Sequence, residues 1–257
     1  MDGRSAQARK YARVVGSPGE WARFAGLVRA LWPLFLIAVA FGYLLRAILP
    51  MPPFGETAAG FLFLVLAGGL AWAAALKGKR LELFMKGARG EEWVAHELAF
   101  LPASYVVFHG VRMEKRGFLA RHGDYDHVVV GPSGVFLVET KNWSGRITIQ
   151  DGQILCNGLK PDRSPLDQVK TAAAELRQRL GKSLKSPPAA QPIICFAAGQ
   201  LAGGQQGIAG VMLCDLSNLN ILIQESHDES LPETTQAEVA AFLQNLSGLE
   251  TAAGTAS

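Results

Sequence analysis

The second half of this chain predicts a mixed α/β fold, and the first half predicts a transmembrane helical hairpin in front of it. Three observations carry that reading. Two long uncharged runs lie in the first 80 residues; β-branched strands punctuated by Gly and Pro follow them; and amphipathic helices separate the strands.

The uncharged runs are "ALWPLFLIAVAFGYLL", Ala30 to Leu45, and "AAGFLFLVLAGGLAWAAAL", Ala58 to Leu76. Each is close to the roughly 20 residues that cross a bilayer core. The first is slightly short, and a snorkelling Arg46 extends it through Ala47 to Leu49. Two buried helices of a soluble core are the alternative. A cleaved signal peptide fits poorly, because the apolar run begins late and a second follows it. Arg4, Arg9, Lys10, Arg13, Arg23 and Arg29 precede the first run, and Lys77, Lys79, Arg80, Lys86 and Arg89 follow the second. Positive-inside bias then places both ends of the chain in the cytoplasm. The expected layout is a basic cytoplasmic segment at 1–29, two membrane helices within 30–77, a soluble domain at 86–246 and a disordered tail at 247–257. The expected location is the inner membrane, with the lipid bilayer as one partner.

The elements of the soluble domain follow in order. "GEEWVAHELAFL" reads as a helix, with Glu91, Val94, Leu98 and Leu101 on one face; "SYVVFHGV" reads as a strand. "GDYDHVVVGPSGVFLVETKN" reads as a hairpin turning at Pro132–Ser133, and "SPLDQVKTAAAELRQRLGK" as a long helix. "PIICFAAG" and "GVMLCD" read as buried strands. Thr235 and Glu238, at capping-box spacing, mark the start of a last helix. Cys156, Cys195 and Cys214 are isolated, which predicts three small buried thiols in a reducing compartment and no zinc site. The net charge of +3 is too small to argue for nucleic acid by itself.

The hairpin carries the chemistry. With Pro132 and Ser133 at its tip, Val130 faces Val135, Asp126 falls opposite Glu139, and Asp124 faces Lys141. Period-two alternation puts those four on one face and sends His127, Val129, Val138 and Thr140 to the other. Opposed side chains have Cβ atoms about 5 Å apart, where two carboxylates repel. A hard divalent cation between them resolves the repulsion, and Lys141 can then orient a metal-bound water or neutralise phosphate charge. The plain alternative is a solvent-facing polar side of a hairpin. His127 reads as a core or surface histidine, and Asp124 as a partner of Lys141.

"GEEWVAHEL", "YDHVVVGPSGVFLVETKNWSGRI" and "SPLDQV" together resemble the nuclease-related domain, a branch of the PD-(D/E)XK nuclease-like superfamily. The resemblance implies a central mixed sheet flanked by helices. It implies Asp126, Glu139 and Glu91 as ligands of Mg²⁺, with Mn²⁺ as a substitute, and Lys141 beside them as a catalytic residue. It implies a nucleic-acid contact for Gln168, which matches a Gln of the next helix, although Ala172 stands where relatives often carry an aromatic ring. Arg112, Lys115, Arg116 and Arg121 form a basic stretch able to hold phosphates, or merely a solvated one. The leading expectation is a membrane-anchored, Mg²⁺-dependent nuclease acting on DNA, with RNA as a second substrate. An inactive tethered module that binds nucleic acid or protein is the alternative, and a membrane sensor is a third.

Overall fold

The computed structural model describes residues 10–18, 41, 82, 85–112, 124–226 and 230–246. The chain divides into two compact units, residues 1–19 with 89–257, and residues 20–88. Of the second unit, residues 41, 82 and 85–88 are described and are helical. The two expected membrane helices therefore lie outside the described residues, apart from residue 41. Among the described residues no helix is long and apolar enough to cross a membrane.

The first unit is built on a seven-stranded mixed sheet in the order β1-β2-β3-β4-β7-β10-β9. The strands are β1 (Arg13–Val15), β2 (Val106–Arg112), β3 (Asp124–Gly131), β4 (Gly134–Lys141), β7 (Ala190–Phe196), β9 (Gln206–Ile208) and β10 (Val211–Asp215). β2, β3 and β4 form an antiparallel meander; β7 and β10 run parallel to β4, and β1 runs parallel to β2. A three-stranded sheet holds β5 (Gly145–Gln150) between β6 (Gln153–Cys156) and β8 (Gly199–Leu201).

Among the described residues four α-helices accompany the sheets: α1 over residues 85–98, α2 (Pro165–Ser183), α3 (Leu219–Glu225) and α4 (Glu233–Leu246). Side-chain alternation along the central strands sorts the core into two layers. Val128, Val130, Val135, Leu137, Ile194 and Phe196 pack with Leu166, Val169, Leu176 and Leu180 of α2 and with Val239 and Leu243 of α4. Val107, Val129, Phe136, Val138, Ile193 and Cys195 pack with Val94 and Leu98 of α1 and with Leu219, Leu222 and Ile223 of α3. Strands buried on both faces need continuous apolar sequence, which is why β4 and β7 read "VFLV" and "IICF".

The expected mixed sheet with flanking helices is what the structure shows, and the hairpin, the strands at 106–112 and 190–215 and the long helix fall where the sequence places them. Three expectations change. β1 comes from the basic segment ahead of the apolar runs, so the sheet draws on both sides of them. α4 begins at Glu233, earlier than the Thr235–Glu238 pattern implies, because Pro232 supplies the carbonyl that accepts the Gln236 N–H at 2.9 Å. Cys195 and Cys214 are buried, whereas Cys156 is only half-buried.

Candidate functional site

The β3–β4 ladder runs Gly131↔Gly134, Val130↔Val135, Val129↔Phe136, Val128↔Leu137 and His127↔Val138. The ladder stops there, one step short of Asp126 and Glu139, which the sequence reading sets opposite each other. The tip is locked from β2's approach by a 2.9 Å hydrogen bond between the Tyr105 hydroxyl and Ser133 Oγ. A one-residue slip would put the two carboxylates on opposite faces, so this lock bears directly on the site.

At Asp126 the regular ladder ends. The β2–β3 pairing runs through His109↔His127, omits the Gly110–Asp126 step, and resumes at Val111↔Tyr125 and Arg112↔Asp124. Gly110 has φ +59, a left-handed backbone that β-branched neighbours such as Val111 would adopt at a cost. The kink shows in the packing: Phe108 and Val111 join the same core layer, as do Val128 and Tyr125, which strict alternation forbids. The Asp126 carboxylate fills the opening, accepting the Thr140 backbone N–H at 2.8 Å. That N–H would otherwise seek a strand carbonyl.

Glu139 and Lys141 project from β4 on the layer covered by α2. Lys141 Nζ donates to Glu139 Oε1 at 2.7 Å and to Gln168 Oε1 at 3.0 Å, and Gln168 Nε2 donates to the same Glu139 oxygen. Gln168 arrives there because α2 is started by Ser164, whose Oγ accepts the Asp167 N–H at 3.2 Å, with Pro165 opening the helix. Leu166 and Val169 then bury the turn and leave Gln168 at its edge beside the sheet. The backbone partner of Asp124 is Arg112.

Glu91 lies one turn before Val94 on α1 and is half-buried. A methyl group on Gly90 would come within 2.6 Å of the Asn142 Cβ, so only glycine lets the helix lie this close to the end of β4. Glu91 is near enough to act electrostatically on Asp126. The Asp126 carboxyl is pushed well above the usual carboxylate range, first by burial, then by Glu139, then by Glu91; the Thr140 N–H and Lys141 oppose this. Although part of Asp126 reaches solvent, its carboxyl group is enclosed by protein.

Among the described residues no group of three or more His, Cys, Asp and Glu side chains is gathered closely enough to hold a metal ion. The three acids act on one another electrostatically without converging on one point. Of the basic stretch, Arg112 ends β2 and its backbone pairs with Asp124, while Lys115, Arg116 and Arg121 lie outside the described residues. Both ends of that connection thus emerge beside Asp126. Trp143 packs against Phe196 at 5.6 Å between ring centroids and belongs to the core border.

Sequence reasoning missed what lies beneath. His127 does alternate away from the carboxylates, and there it meets His109: Nδ1 to Nδ1 is 2.7 Å, and His127 Nε2 lies 3.2 Å from Thr140 Oγ1. Both rings are buried. Two facing ring nitrogens at that distance hold one proton between them, and burial favours the uncharged rings. Burial lowers His109 to about 4; burial and the His109 ring lower His127 well below its ordinary value. A lowered folded-state pKa gives stability that is present above the unfolded value of 6.5 and is lost as pH falls toward 4. His109 accordingly contributes up to roughly 3 kcal/mol at neutral pH. We predict that His109→Asn flattens the loss of melting temperature between pH 6.5 and 4.5; parallel curves for variant and wild type would remove the histidine pair as the cause.

Comparison with known proteins agrees with this geometry in part. A 66-residue stretch is 42% identical to an uncharacterized protein of Bacillus anthracis, covering 24% of this chain and 29% of that protein. The chain thus aligns with less than a third of that relative's length. No solved structure matches. Residues 86–197, which carry Glu91, Asp126, Glu139, Lys141 and Gln168, match the family model described as the nuclease-related domain.

Proposed function

We propose that the protein is a metal-dependent nuclease that hydrolyses phosphodiester bonds in DNA, with RNA as a second substrate. The observation that carries this reading is the cluster at the β3–β4 opening: Asp126 crowded electrostatically by Glu139 and Glu91, with Lys141 and Gln168 tied to the Glu139 carboxylate. A buried carboxyl crowded by two further acids is a costly arrangement that a hard cation relieves, and such cations use one or two protein carboxylates, waters and substrate phosphate. Asp126 and Glu139, with Glu91 supporting, would supply the oxygen donors that Mg²⁺ or Mn²⁺ takes. When bound, the ion supplies Lewis acidity and a more acidic water.

The chain's own groups do the rest. The Thr140 N–H fixes the Asp126 carboxylate. Gln168 fixes Glu139 and the Lys141 amine. Lys141 offers a cation to a phosphate entering between them, and in sequence Arg112, at the end of β2, is followed by Lys115, Arg116 and Arg121 as further phosphate-binding candidates. A second reading draws on the same contacts: Glu139 Oε1 is already satisfied by Lys141 and Gln168, as expected of a tethered binding module that has lost its chemistry. Incubating the full-length protein with labelled single-stranded and double-stranded DNA, with and without Mg²⁺ or Mn²⁺, separates the two. Metal-dependent products support the nuclease; binding without cleavage supports the module.

We further propose that the runs 30–45 and 58–76 anchor the chain in the inner membrane with both ends in the cytoplasm, from the distribution of Lys and Arg around them. Reporter fusions at Thr57 and at the C-terminus are expected to report opposite sides of the membrane. The same side for both would defeat the hairpin.

A further inference from the structure

The face of α1 turned away from the core is not an ordinary solvated face. Arg89, Trp93, His96 and Phe100 follow one another at spacings of four, three and four, all exposed, while Val94, Leu98 and Leu101 bury the opposite side. Trp93 is 48% exposed and Phe100 50%. The stripe continues onto the N-terminal segment, where Tyr11, 45% exposed, forms an isolated bridge with Pro102 and meets the Phe100 ring edge-on at 5.6 Å. The His96 ring meets Phe100 at 5.0 Å and 70°. Lys10 places its amine 5.4 Å from the Tyr11 ring centroid and ends the stripe, with exposed Arg13 nearby.

We propose that this stripe is a binding track for single-stranded nucleic acid, a site that rests on the nuclease reading above and lies outside the carboxylate cluster. Four rings in line, flanked by a cation at each end, match a strand that offers flat bases and a phosphate backbone. His96 and Tyr11 both brace Phe100 edge-on, so little of their side-chain freedom is lost when a base stacks there. Among the described residues the exposed non-aromatic apolar side chains beside the line are Met85, one turn before Arg89, and Val14, so rings predominate along it. The nearest acid in the last turn, Glu97, is held by Asn220 Nδ2 at 3.2 Å, and Glu92 is half-buried. From Arg89 to Phe100 the track is about 16 Å long, enough for about three stacked nucleotides. Glu91 lies on the opposite face of α1, so the track is separate from the carboxylates.

The test uses full-length protein in EDTA, which stops cleavage, and fluorescence anisotropy with a labelled oligothymidylate of about 12 nucleotides. Trp93→Ala and Phe100→Ala are each expected to weaken single-strand binding about tenfold and to leave binding of a duplex of the same length within about twofold. Arg89→Gln is expected to reduce the salt slope of log affinity by about 0.7. Melting curves confirm that the variants fold. Wild type that fails to bind the oligonucleotide, or ring variants that bind as wild type does, overturns the track. So does a loss in the ring variants of self-association, or of binding to anionic vesicles, with oligonucleotide affinity unchanged. If ring-dependent binding holds while wild type never cuts with Mg²⁺ or Mn²⁺, the nuclease reading falls and the track stands. If wild type cuts while ring variants bind normally, the reverse is true.

Discussion

Asp126→Asn is expected to make the metal-free protein more stable at neutral pH, by roughly 1–3 kcal/mol, while removing its response to Mg²⁺. The reasoning starts from the enclosed carboxyl and its two acidic neighbours, Glu139 and Glu91. An asparagine Oδ1 can still accept the Thr140 N–H, and the amide carries no charge to repel either acid. Because the folded-state pKa of Asp126 is raised, the wild type gains stability relative to the unfolded chain as pH falls through that pKa. The gap between variant and wild type should therefore shrink on acidification. In saturating Mg²⁺ the order should invert, since a ligand at a hundred times its Kd adds about 2.7 kcal/mol only to the state that binds it. Melting curves of both proteins across pH, in EDTA and in Mg²⁺, check all three statements. A variant less stable in EDTA, or equally stabilised by Mg²⁺, would contradict them.

Lys141→Met is expected to lower turnover by about 10²–10³-fold and to change nucleic-acid affinity by less than about threefold. Methionine keeps the aliphatic stem, so the packing of β4 against β7 and α2 should survive. What disappears is the amine that donates to Glu139 and Gln168. Its charge matters most when negative charge develops on the phosphate oxygens, and an interaction made mainly in the transition state appears in kcat far more than in binding. Single-turnover cleavage and anisotropy measured on one preparation distinguish this from a structural role, in which both would fall together.

The parts of the site that were legible in the sequence share a physical reason. A short turn fixes register, and so "GPSG" was enough to set the ladder from Gly131↔Gly134 to His127↔Val138, one step short of Asp126 and Glu139. The amphipathic period was enough to put Glu91 above Val94 and Leu98. What escaped was the kink. Alternation was carried through Asp126 to Asp124 as if the strand were regular, whereas Gly110 on the neighbouring strand breaks it and lets Asp126 turn into the ladder. A glycine inside "FHGVR" was the available signal. Likewise Asp151–Gly152 and Asn157–Gly158, all four with positive φ, are the turn dipeptides of the β5–β6 hairpin and the turn after it, and were readable without the structure. β1 gave no such signal: three residues separated from β2 by some 90 others become a strand only because β2 offers an open edge. Gln168 sits in a first turn that the sequence could place, but the reach of its side chain to Lys141 depends on how α2 lies on β4.

The central claim is that Asp126 and Glu139 share one divalent cation in a site that cuts nucleic acid. Its most direct test is a titration of full-length wild type, Asp126→Asn and Glu139→Gln with Mn²⁺ by calorimetry, each sample then assayed for cleavage of labelled DNA. The account predicts one binding event and metal-dependent cleavage in the wild type, with both lost in either variant. Equal metal affinity in all three proteins, or cleavage that survives either substitution, would contradict it.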